Sequence, residues 1–135
     1  MILRTSRIVL AFFVGVLTFS TSCHHVNAKQ LEKQVISLSY NGGTCQQNGQ
    51  SGIVDILPDQ LVVFQGASAV SQFEVDFAKC PFGTCPVKSP TGAPANAGQP
   101  AASATGKTFN YTGLTIDNKK CNLVSPMGLR IRPGP

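Results

Sequence analysis

A helix cannot keep strictly alternating apolar and polar side chains on separate faces, and from Gln72 to Phe77 this chain alternates over six positions. Phe73, Val75 and Phe77 fall on one side; Gln72, Glu74 and Asp76 fall on the other. That is the pattern of a half-buried strand with aromatics inward and carboxylates outward. The stretch before it is built alike. Pro58 cannot donate to a ladder and marks a strand entry. Gln60 to Gln65 then sets Leu61 and Val63 on one face and Val62 and Phe64 on the other, and Gly66, Ala67 and Ser68 supply small turn residues. Both faces of this strand are apolar, so periodicity leaves open which one meets the core.

The remaining segments follow the same logic. Val35 to Tyr40 alternates Ile36, Leu38 and Tyr40 with Ser37 and Ser39, and Ile53 to Leu57 is a short apolar run. Asn41-Gly42-Gly43 and Asn48 to Gly52 carry turn chemistry on either side of Cys45. Pro86 to Lys107 is almost entirely Pro, Ala, Gly, Ser and Thr; it offers little to bury, which predicts a mobile surface loop at 86–107. Structure resumes at Thr108 with Phe109 and Tyr111 on one face and Leu114 and Ile116 nearby. Asp117 to Lys120 reads as a turn, and Gly128 to Arg132 as a last strand with Leu129 and Ile131 inward. With no helical period beyond the N-terminus, the chain predicts an all-β fold, an antiparallel sandwich or barrel of six or seven short strands. Its inner layer is expected from Ile36, Leu38, Leu61, Val63, Phe73, Val75, Phe77, Phe109, Tyr111, Leu129 and Ile131.

The N-terminus reads as a targeting segment. Arg4 and Arg7 form a charged n-region, Ile8 to Leu17 is an apolar run too short to span a bilayer as a helix, and Val26-Asn27-Ala28 offers small residues for cleavage. Residues 1–28 are therefore expected to be a signal peptide, with one domain at 29–135 in the periplasm or outside the cell and no transmembrane segment in it. The rival is lipidation at Cys23, which would anchor the protein to a membrane. Ser20-Thr21-Ser22 lacks the aliphatic residue a lipobox usually carries three places before its cysteine.

Cleavage after Ala28 would leave nine Lys and Arg against six Asp and Glu, four cysteines and no histidine. The cations are scattered, and no basic run interleaves with aromatics, so no nucleic-acid partner is expected. Four cysteines in an exported chain predict disulfides, since the exterior oxidises thiols. Of the three possible pairings, Cys80 with Cys85 and Cys45 with Cys121 is favoured: the first closes the small loop CPFGTC, and the second ties an early loop to the C-terminal region. Zinc sites want two closely spaced pairs, and only Cys80 and Cys85 are close.

The stretch ILPDQLVVFQGASAVSQFEV resembles the strand-turn-strand found early in cupredoxin-like domains, and TFNY and PMGLRIRP resemble that fold's closing strands. The resemblance implies a Greek-key sandwich. It also directs attention to the family's copper centre, which takes two imidazoles and a thiolate, usually with a weak thioether. Cys121 followed by Met127 is similar to the cysteine and methionine of the family's C-terminal ligand loop, yet Asn122, Leu123, Val124, Ser125 and Pro126 stand between them with no histidine. After Phe77, Ala78, Lys79 and Cys80 stand where the other histidine belongs. The expectation is a cupredoxin-like scaffold without copper or any other cofactor, with Met127 as a core filler.

Catalysis fares no better. General acid-base chemistry and triads usually call on histidine. Glu74 and Asp76 share one strand face, where carboxylates are far more often solvated surface than a glycosidase pair. The Cys80–Cys85 spacing is wider than a thioredoxin-type motif, and Asn110-Tyr111-Thr112 matches a glycosylation acceptor by composition alone. The sequence thus predicts a non-enzymatic binding or structural component whose partner it does not name. The alternatives are a secreted metal-handling or electron-transfer protein and a thiol-disulfide redox protein.

Overall fold

The computed structural model describes residues 30–123 and 125–135; the expected signal peptide and Cys23 lie outside them. Among these residues the fold is all-β, with strands β1 (Lys33–Asn41), β2 (Thr44–Gln47), β3 (Ile53–Ile56), β4 (Leu61–Gly66), β5 (Phe73–Phe77), β6 (Val87–Ser89), β7 (Ala95–Gly98), β8 (Thr108–Ile116), β9 (Lys119–Lys120) and β10 (Gly128–Ile131). One sheet runs β2-β1-β4-β7 and the other β3-β10-β8-β5-β6, with β9 paired to β8. Their inner faces share one core, including Ile36, Leu38, Phe64, Val75, Leu114, Leu129 and Ile131, which makes the architecture a β-sandwich. No helix of the described residues is long and apolar enough to cross a membrane.

Turn chemistry sets the hairpins. Asn41 pairs with Thr44 across Gly42 and Gly43, at φ +59° and +94°, so the two central residues sit where an L side chain is disfavoured. Asp117 and Asn118, at φ +52° and +61°, make the same two-residue turn between β8 and β9. The expected turn at 117–120 is therefore a hairpin whose last two residues pair back onto β8.

Three expectations are corrected. The sheets are mixed, not purely antiparallel: β1 runs parallel to β4, and β3 parallel to β10. A parallel neighbour needs a crossover connection, and β3 supplies it by leaving for the second sheet between β2 and β4. Within β4, Val62 and Phe64 face the core; Leu61 and Val63 do not. The parallel register places Phe64 beside inward-facing Ile36 and Val63 beside Val35 on the outer face.

The segment 86–107 is not a structureless loop. β6 pairs with β5, β7 pairs with β4, and a 3-10 turn covers Ala102–Ala104. Composition underrates this segment because an edge strand needs backbone partners more than large side chains. Its few anchors, Val87, Ser89 and Ala104, are buried.

Candidate functional site

Two regions merit a chemical reading: the loops that the cupredoxin resemblance marks as metal-binding, and a groove on the outer face of the second sheet.

Around the first, β5 delivers Phe77 to the end of the sheet, where its ring meets Tyr111 at 5.0 Å, Phe82 at 5.9 Å and Phe64 at 6.4 Å, all edge to face. Edge-to-face packing sets the positive rim of one ring against the negative face of the next, so the four rings support one another beyond their simple burial. Cys80 is bonded to Cys85, and the ring they close buries Pro81 and Phe82. Cys121 is bonded to Cys45, with Cα atoms 5.6 Å apart, and Met127 is buried in the core. The structure thus joins the four cysteines as two pairs and brings neither pair to the other. Each of these cysteine sulfurs is bonded to carbon and to a second sulfur, and Ala78 and Lys79 supply no imidazole. These residues do not fit a copper centre. Among the described residues, no three His, Cys, Asp or Glu side chains stand together as metal ligands.

Behind the aromatic rings lies a polar contact that sequence reasoning missed. Gln47 is fully buried; its Nε2 donates to the carbonyls of Gly52 and Gly128, and its Oε1 accepts from the Tyr111 hydroxyl at 2.7 Å. All the hydrogen-bonding capacity of the amide hydrogens is used, so burial is tolerated. The same burial pushes the Tyr111 phenol well above its usual range, which keeps it a donor. Its only sequence signal is a polar residue on the inward parity of a strand, two places after Cys45.

The groove lies over β5, β6 and β8. It has a volume of about 460 Å3 and is lined by Gln72, Glu74, Lys88, Ser89, Thr115 and Asn118 together with Phe73 and Pro90. Alternation accounts for the lining. Glu74 is directly opposite Lys88 on β6 and Thr115 on β8, so all three project from one face. Glu74 and Lys88 approach to 4.0 Å with both side chains largely in water, a pair worth little to stability. One rim is fixed by Asp117, whose Oδ1 accepts from the Ser71 amide at 2.8 Å, the Ser71 hydroxyl at 2.6 Å and the Gln72 amide at 3.1 Å. Those bonds, led by the Ser71 hydroxyl, hold the Asp117 carboxyl below its ordinary value.

The other candidates stay apart from this face or inert. Asp76 shares the strand face of Glu74 and stands opposite Gly113 across the β5–β8 ladder. Lys119 lies over the Tyr40 ring at 5.1 Å, so one of the two lysines flanking Cys121 has an aromatic partner. Asp55 takes both Arg130 and Arg132, with the Arg130 hydrogen bond the chief reason its carboxyl is held below the usual range. The groove therefore offers amides, hydroxyls and one charge of each sign beside apolar surface. No protein-family model matches this chain, and neither does any curated protein or solved structure.

Proposed function

We propose that this chain is an exported, non-catalytic domain of cupredoxin-like character without a copper site, acting as a binding or structural component of the periplasm or cell surface. The observation that carries this reading is the state of the sulfurs. Cys121, at the position resembling a copper thiolate, is bonded to Cys45, and Cys80, near the other ligand position, is bonded to Cys85. A thiolate held as a disulfide is neither a ligand nor a nucleophile. Two disulfides also suit an oxidising exterior. The groove over β5, β6 and β8 supports a binding role, since it sets amides and hydroxyls beside apolar surface.

Copper titration tests the reading. The oxidised protein is expected to give no intense visible charge-transfer band on addition of Cu(II) and no saturable stoichiometric binding. A strong band appearing at one equivalent would overturn it in favour of a metal-handling protein.

A further inference from the structure

The two disulfides occupy different environments. Cys45 and Cys121 are 1% and 5% exposed, lie 76 residues apart in sequence, and tie β2 to the segment following β9. Cys80 and Cys85 are half-exposed and close a ring with a sequence separation of 5. Within that ring the chain reverses direction: Pro81 and Phe82 point into the protein, whereas Gly83 and Thr84 stand in solvent. The Pro81 carbonyl accepts from the Ala101 amide at 2.8 Å, so the ring also fixes the start of the 3-10 turn that precedes β8. Phe82 in turn covers Phe77. The less covered of the two S–S bonds therefore holds a buried aromatic side chain and a second segment of chain in place.

We propose that Cys80–Cys85 is a redox-addressable clasp: its reduction by a dithiol loosens residues 80–89 and 100–104 and uncovers the aromatic end of the sandwich, while Cys45–Cys121 keeps the fold closed. The chemistry balances as ordinary exchange. A thiolate of the dithiol attacks one sulfur of the pair, the Cys80–Cys85 bond breaks, and a mixed disulfide forms with release of the other protein sulfur. The second thiol of the dithiol then displaces the protein from that mixed disulfide. Two electrons pass to the protein, both cysteines end protonated as thiols, and the dithiol leaves as its cyclic disulfide.

Access decides which bond reacts, because the attacking thiolate must reach a sulfur along the S–S axis. Cys80 and Cys85 are partly buried at the edge of the core, whereas Cys45 and Cys121 are almost wholly covered by it. Opening the short ring removes the constraint that holds Phe82 over Phe77, and the released surface is apolar and aromatic. The clasp is the substrate of a reductant here, not a reductant itself.

The test is graded reduction of the folded, oxidised protein with dithiothreitol, followed by alkylation, peptide mass mapping and amide hydrogen exchange. Cys80 and Cys85 should be alkylated at least about tenfold faster than Cys45 and Cys121, with exchange rising about tenfold in 80–89 and 100–104 and unchanged in β1, β4 and β10. A Cys80→Ser, Cys85→Ser double variant should reproduce that exchange pattern without reductant. Simultaneous reduction of both pairs would overturn the proposal. So would selective reduction with no change in exchange, since the bond would then clasp nothing.

Discussion

Gln47 shows how one buried polar side chain can couple three distant parts of a small domain. It sits on β2 and bonds to the Gly52 carbonyl in the following turn, to Gly128 at the start of β10 and to Tyr111 in the middle of β8. Replacing it with Ala takes a donor from the Gly128 carbonyl and an acceptor from the buried Tyr111 phenol, while the Gly52 carbonyl keeps the Gly128 amide; each group left unpaired costs about 1–3 kcal/mol. Gln47→Ala is expected to destabilise by about 3 kcal/mol, and Tyr111→Phe by about 1 kcal/mol, in urea unfolding. The double variant should lose less than the sum, because both changes remove the same bond; strict additivity would show that the two residues do not cooperate. At this scale the sequence was half legible. Tyr111 is readable as inward-facing from its parity with Phe109, but Gln47 stands in a segment of turn residues and polar amides with no apolar alternation to reveal a strand. The face of β4 was illegible for the opposite reason: Leu61, Val62, Val63 and Phe64 are all apolar, and only the register against Ile36 selects Val62 and Phe64.

Among the elements, β8 explains why its own pattern looks broken. Phe109 and Tyr111 are inward at odd positions, whereas Leu114 and Ile116 are inward at even ones. A bulge reconciles them, since Phe77 pairs with Tyr111 while the preceding Asp76 pairs with Gly113, leaving Thr112 as the extra residue. A second bulge leaves Ala97 unpaired between Gly98 opposite Val62 and Asn96 opposite Val63. Alternation is a reliable guide only within an unbroken ladder, so both sites defeat it. The edge strands were hidden more completely, because the Ala, Asn and Gly of β7 contribute backbone hydrogen bonds and little side-chain contrast, and β6 has only the three residues Val87 to Ser89. In the oxidised protein, amides of β6 and β7 that face β5 and β4 should exchange at least about tenfold more slowly than those of the exposed turn at residues 90–94. Uniformly fast exchange from 86 to 107 would remove both strands from the fold.

The whole molecule is closed by connections between distant stretches of chain. Cys45–Cys121 spans 76 residues, and constraining a loop of that length contributes about 4 kcal/mol in the chain-entropy view. Cys45→Ser and Cys121→Ser should each lower thermal stability by a similar amount, with the double variant little worse than either, since each single change breaks the same bond. Additive losses would show that the two cysteines contribute separately. The all-β class was legible because alternating strands leave local marks, and an even number of cysteines beyond Ala28 marked the presence of disulfides. The parallel pairs were not, since nothing within β1 or β3 announces a neighbour from elsewhere in the chain. The β3–β10 pair also dictates when folding can finish. Asp55 on β3 meets Arg130 on β10 across 75 residues, and β10 is an interior strand held between β3 and β8. Until Gly128 to Ile131 has left the ribosome, β3 and β8 each expose an open ladder, and closing so long a loop is slow. The second sheet is therefore completed by a pairing between strands far apart in sequence, a slower event than the closing of the two-residue hairpins at 42–43 and 117–118.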